Sequence, residues 1–71
     1  MSASKSVDTA KERAKVELHD LREKIVKLEA FVNSPVMRKL KGRMQGLLVL
    51  QLGYMKEYED VLAKRLCIWD D

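Results

Sequence analysis

The sequence predicts an all-α protein: an antiparallel two-helix hairpin with a short helical turn at the bend, assembling into a symmetric oligomer. Three glycines and one proline among 71 residues are too few for the turns of an all-β chain. Two long segments repeat their apolar residues at helical spacing. A chain this short buries too little surface to be very stable alone, which favours one domain, residues 1–71, that self-associates.

The first helix is predicted over about residues 6–32, after a disordered segment at residues 1–5. Ser6 or Asp8 is expected to cap its start. The apolar residues follow the heptad spacing of a coiled coil, with Lys11 in the one skipped position. This stripe consists of Val7, Ala14, Leu18, Leu21, Ile25, Leu28 and Val32. A parallel coiled coil between two copies of this helix is therefore an alternative mode of assembly.

Residues 33–42 form the predicted bend. The sequence Asn33-Ser34-Pro35 ends the first helix because the residue before a proline is pushed out of the α region. Ser34 is a suitable N-cap, and Pro35 fits the first position of a short helical turn that runs to about Leu40. The second long helix is then expected over about residues 43–69.

The second helix is apolar around much of its circumference. One row repeats every seven residues as Leu48, Met55, Leu62 and Trp69, and an adjoining row consists of Leu47, Tyr54, Val61 and Ile68. One partner helix cannot cover both rows, so the remaining surface is expected to meet other subunits. The predicted oligomer interface contains Leu47, Leu48, Gln51, Met55, Tyr58, Leu62 and Trp69.

Gln51 interrupts this apolar face, and a buried amide requires hydrogen-bond partners. We expect it to pair with a second Gln51 across a symmetric interface and fix the register. The alternative is a hydrogen bond to a ligand in a central pocket.

The positive charge is concentrated at the bend. Residues 35–46 contain four bases and no acid, whereas residues 1–34 contain seven bases and six acids. Arg38, Lys39, Lys41 and Arg43 surround two successive predicted helix starts, where unpaired N–H groups favour an anion. These four residues are the predicted phosphate ligands, with Tyr54 and Tyr58 available to stack on a base. The alternative is a solvated corner that binds nothing.

Other classes of function lack their motifs. A single cysteine, Cys67, excludes an internal disulfide and a cysteine-based zinc site, and His19 has no catalytic constellation around it. We expect no enzymatic activity, no cofactor and no metal. The alternating charges of the first helix argue against nucleic-acid binding. The longest apolar run, residues 47–50, is far short of the roughly 20 residues that span a bilayer.

The order of residues resembles a family of short proteins encoded by tailed bacteriophages, including crAss-like phages. The resemblance covers about residues 17–66 and is contained in Leu28-x-x-Phe31-Val32-Asn33-Ser34, Leu40 and Leu47-Leu48-x-x-Gln51-x-x-x-Met55-x-x-Tyr58-x-x-x-Leu62-x-x-Arg65-Leu66. In that family the second helix usually begins with a polar cap and acidic residues, from which Lys41-Gly42-Arg43 departs. The resemblance implies a phage protein acting in the cytoplasm of a bacterial host, and it transfers no catalytic residue.

Three functions are consistent with these observations. The first is a counter-defence protein that binds and sequesters a phosphate-bearing, cyclic nucleotide immune signal. The second is an inhibitor that binds a host defence or transcription protein through its apolar helix surface. The third is a structural factor in phage assembly.

Overall fold

The computed structural model describes residues 3–69, with side chains from residue 9 onward. The elements are α1 (Ala3–Val32), a short 3-10 helix that we call the bend helix (Pro35–Lys39), and α2 (Gly42–Ile68). The two long helices pack side by side in a rod of 54 × 15 × 15 Å. The all-α fold and the hairpin arrangement are confirmed, and the described residues include no strand.

Helix α1 begins earlier than predicted. Ala3 is its first residue, so residues 3–5, predicted to be disordered, are helical, while residues 1–2 lie outside the described part. Ser6 and Asp8 therefore lie inside the helix and not at its cap. The physical reason is that residues 3–5 contain neither glycine nor proline, so nothing in the backbone stops the helix one turn earlier.

The core forms where the α1 heptad stripe meets α2. One cluster joins Ala14 and Leu18 to Leu62, and a second joins Leu21 and Ile25 to Leu52. All six side chains are buried. Because the stripe of α1 is used within the chain, it is not available for a parallel coiled coil between two copies, and that alternative is incompatible with this fold.

Polar contacts along the rim of the hairpin show that the helices are antiparallel. Arg22 Nε donates to Glu59 Oε2 at 2.9 Å, and Lys56 Nζ donates to Glu29 Oε2 at 2.7 Å. A later residue of α1 thus meets an earlier residue of α2. The four side chains of these pairs are between 30% and 56% exposed. Each pair therefore adds at most about 1 kcal/mol, and most of the stability comes from apolar packing.

The bend differs from its prediction in one hydrogen bond. Ser34 stands at the N-cap of the bend helix with Pro35 after it, but its hydroxyl makes no capping bond there. Ser34 Oγ instead donates to the Phe31 carbonyl at 2.6 Å, which satisfies an acceptor at the end of α1. Met37 is the buried side chain of the bend, and Gln45 Nε2 donates to the Leu40 carbonyl at 2.7 Å.

Helix α2 begins and ends within one residue of its predicted bounds. No helix in the described part of the chain is long and apolar enough to cross a membrane.

Candidate functional site

The four cations of the bend, Arg38, Lys39, Lys41 and Arg43, form what we call the basic corner. All four are exposed. Arg38 and Lys39 lie in the last turn of the bend helix, Lys41 is the N-cap residue of α2, and Arg43 lies in its first turn. Within residues 9–69, none of the four makes a salt bridge or a side-chain hydrogen bond. Their charges are thus free to meet a ligand.

The start of α2 provides further donors. The first N–H groups of a helix have no intrahelical acceptor and normally receive a capping side chain or a nearby acid. Here the N-cap residue Lys41 makes no side-chain capping bond, and the first turn contains no acidic residue. An external anion is the partner that this arrangement suits best.

Only one of the two predicted helix starts belongs to this corner. Arg38 and Lys39 lie at the end of the bend helix, and Ser34, at its start, uses its hydroxyl on the preceding helix. The basic corner is therefore one helix N-terminus, with Lys41 and Arg43, flanked by two cations from the preceding turn.

The two tyrosines predicted to stack on a base lie away from the corner. At 1.5 Å per residue, Tyr54 lies about 17 Å and Tyr58 about 23 Å along α2 from Arg43. Tyr58 also donates its hydroxyl to the Glu17 carboxylate on α1. That hydrogen bond, with burial and the charge of Glu17, raises the pKa of the Tyr58 phenol. The structure thus does not place the phosphate ligands and the stacking rings in one pocket of a single chain.

A second surface runs along α2 beside its contact with α1. Its members alternate at spacings of three and four residues, which is the heptad pattern of a helix that pairs with another helix. We call it the α2 seam, and it consists of Met44, Leu47, Gln51, Tyr54, Tyr58, Val61, Arg65 and Ile68. All are exposed, and a shallow groove of about 380 Å³ follows part of the seam. Leu47, Gln51, Tyr54 and Tyr58 line this groove together with Leu50 and Met55.

The predicted interface residues separate into two groups. Leu47, Gln51 and Tyr58 belong to the seam and are exposed. Leu62 does not belong to an outer surface, because its side chain is completely buried in the hairpin core. Leu48, Met55 and Trp69 are half-buried. Met55 and Trp69 pack against the two core clusters, so they too stabilise the hairpin.

The pairing of Gln51 with a second Gln51 stays a prediction, and within one chain the residue is exposed. Its side chain is exposed and not buried, and its amide makes only a long contact of 3.9 Å with Met55 Sδ. The groove gives the amide access to water, so no buried hydrogen-bond partner is required within one chain.

The predicted oligomer interface omitted four members of the exposed apolar surface: Met44, Leu50, Val61 and Ile68. Two of them, Val61 and Ile68, occur in a row whose seven-residue repeat was visible in the sequence. The signal that separates this row from the buried one is the position of α1, which is a tertiary property.

The remaining chemically active side chains among residues 9–69 do not form a site. His19 Nε2 lies 2.7 Å from Glu23 Oε1 on an exposed face of α1, and Cys67 is an exposed free thiol. No group of three or more His, Cys, Asp or Glu residues in the described part of the chain is arranged to hold a metal ion.

A family model described as Sequestin matches residues 8–68, which includes the bend, all of α2 and the four cations of the basic corner. No curated protein and no solved structure matches the chain.

Proposed function

The chain belongs to the Sequestin family, and from this premise we propose that it binds and sequesters a phosphate-bearing nucleotide without changing it chemically. The family name fits a sequestering role. The observation that best supports a phosphate ligand is the basic corner, where four exposed cations without acidic neighbours flank an uncapped helix N-terminus. Backbone N–H groups and charged donors together are the usual environment of a bound phosphate.

The ligand class that we propose is a cyclic nucleotide immune signal of a bacterial host. The protein would then be a phage counter-defence factor that acts in the host cytoplasm by lowering the concentration of the free signal. It would act as a homo-oligomer and require no cofactor. A binding protein of this kind needs no nucleophile and no general base, only contacts that hold the ligand longer than its receptor does.

The binding role is tested by titration calorimetry with a panel of cyclic dinucleotides, cyclic trinucleotides and linear nucleotides. Two double variants each remove two cations, Arg38→Ala with Lys39→Ala, and Lys41→Ala with Arg43→Ala. Each lost charge-assisted contact weakens binding by about 1.5–3 kcal/mol, so we expect each double variant to bind at least ten-fold more weakly.

A matched control removes one arginine and one lysine from a different place. Arg13 and Lys24 are exposed on α1, and neither forms a salt bridge among the described residues. Arg13→Ala with Lys24→Ala lowers the net charge by the same two units but leaves the basic corner intact. It should therefore leave nucleotide affinity unchanged. All three variants should melt within a few degrees of the unmodified protein, because exposed substitutions change stability by about 0.5 kcal/mol. Equal affinities in all four proteins, or no heat with any nucleotide, would exclude the basic corner as a ligand site.

The α2 seam supports a second candidate function. An exposed apolar surface on a small protein is typical of a site for protein binding. On this alternative the protein inhibits a host defence or transcription component through the seam, and the basic corner is only solvated. A stable complex with one bacterial protein, abolished by Val61→Glu and unaffected by the corner variants, would favour it.

A further inference from the structure

We propose that the α2 seam is covered by the α2 seam of a second copy of this chain, in antiparallel orientation, with a two-fold axis that crosses the seam midway between Tyr54 and Tyr58. This pairing specifies the face and the geometry of the self-association proposed above. The seam runs from Met44 to Ile68, and the hairpin leaves it without a partner although its residues are spaced for helix pairing.

The exposed area suits a dimer. Seven apolar side chains on this side of α2 are between 41% and 64% exposed: Met44, Leu47, Leu50, Tyr54, Tyr58, Val61 and Ile68. At roughly 100 Å² each, they give about 700 Å² per copy, so a dimer would bury about 1,400 Å², within the range of stable protein interfaces. In the described part of one chain, only seven hydrophobic side chains are less than a tenth exposed. Burying the seven side chains of this surface in a dimer would therefore about double the apolar core.

Charge favours the antiparallel orientation. Residues 35–46 contain four bases and no acid, a balance of +4, whereas residues 57–71 contain two bases and five acids, a balance of −3. Parallel copies would place the two basic ends side by side. Antiparallel copies place each basic end beside the acidic half of the other chain, which is attractive.

One register pairs every member of the seam. With the two-fold axis midway between Tyr54 and Tyr58, Met44 faces Ile68 of the other copy and Tyr54 faces its Tyr58. The same register sets Gln51 opposite Val61, and not opposite a second Gln51, and it sets Leu47 opposite Arg65, whose long stem can keep its charge in water. Any shift by one heptad leaves seam residues at the helix ends uncovered.

One polar group beside the axis, the Tyr58 hydroxyl, already has a hydrogen-bond partner within the hairpin. Tyr58 donates its hydroxyl to Glu17 within the hairpin. Its ring can therefore be covered by the other copy without leaving an unpaired hydroxyl, which would weaken an otherwise apolar interface.

Sedimentation equilibrium without nucleotide tests the interface. The unmodified chain should show a mass twice its 8.2 kDa at micromolar concentration. Val61→Glu places two carboxylates in the interface and should weaken the dimer at least about a hundred-fold. Its control is Val49→Glu. Val49 and Val61 are similarly exposed, at 54% and 52%, but Val49 lies on the far side of α2, outside the seam. A monomeric unmodified chain would overturn the proposal. An equal effect of both variants would also overturn it when circular dichroism shows that both variants are helical.

The orientation is measured with the lone exposed cysteine as a label site. In the antiparallel register the two copies of Cys67 lie about 33 Å apart along the axis, at 1.5 Å per residue. In a parallel pair they lie side by side, within about 20 Å, because paired helix axes are about 10 Å apart. Spin labels at Cys67 should give the longer distance in pulsed electron resonance, and the shorter one would refute the antiparallel pairing. Because both measurements omit nucleotide, a failure here is distinguishable from a failure of ligand binding.

Discussion

Truncation of Leu62 to alanine should remove a large part of the stability of the hairpin. Leu62 is the one described side chain with no exposed surface, and it joins Ala14 and Leu18 of α1 to the end of α2. Leu→Ala at such a site costs about 2–5 kcal/mol, because the lost transfer free energy adds to the cost of a cavity. A 71-residue domain typically has about 4–11 kcal/mol in total, so the loss lowers the melting temperature by about 8 °C or more.

Urea unfolding of Leu62→Ala, followed by circular dichroism, measures this loss. The single tryptophan, Trp69, packs against the same cluster and gives a second probe by fluorescence. The control is Leu47→Ala, because Leu47 is 56% exposed on the same helix and should cost less than about 1 kcal/mol in the monomer. Measurements at two protein concentrations separate hairpin packing from self-association. If both variants lost equal stability at the lower concentration, the placement of Leu62 in the hairpin core would be wrong.

Two further predictions concern the surface of the hairpin. Gly53→Ala should raise the free energy of unfolding by about 0.5–1 kcal/mol, as measured by urea titration. A glycine inside a helix is destabilising, and an added methyl group meets no atom within 4 Å. A loss of stability would show that the position is crowded. The pKa of Tyr58 is raised above 10.0, chiefly by the hydrogen bond to Glu17, so the stability from this contact is complete below pH 10 and is lost as the pH rises through the raised pKa. In a Tyr54→Phe background, the absorbance of tyrosinate should show Glu17→Gln lowering this midpoint, and an unchanged midpoint would contradict the contact.

The sequence determined the elements and their order because local signals specify them. Asn33-Ser34-Pro35 ends α1 at Val32, as predicted, since proline cannot continue a helix. From Ala14 onward, the heptad stripe of α1 identified the buried face correctly, because a single apolar stripe leaves only one face to bury. Its first member, Val7, lies outside the described side chains. The start of α1 was less predictable, because residues 3–5 neither cap a helix nor break one.

At the candidate site, the residues of the basic corner were predictable from the sequence, but part of its geometry was not. Its four cations were predicted from charge alone and are exposed and unpaired among the described residues. Their positions relative to helix ends were not predictable, because the bend helix is too short for sequence patterns to locate its last turn. The distance between the corner and Tyr54 was predictable, because it follows from the helical rise over the predicted second helix.

The tertiary structure alone decided how α2 divides its two apolar rows. The row containing Leu62 and the row containing Val61 both repeat every seven residues and are similarly apolar, so the sequence offers no basis for choosing between them. Docking against α1 buries Leu62 completely and leaves Val61 half exposed. The physical reason is that one helix covers only one stripe of its neighbour, so the choice depends on how α2 is rotated about its axis when the bend closes the hairpin.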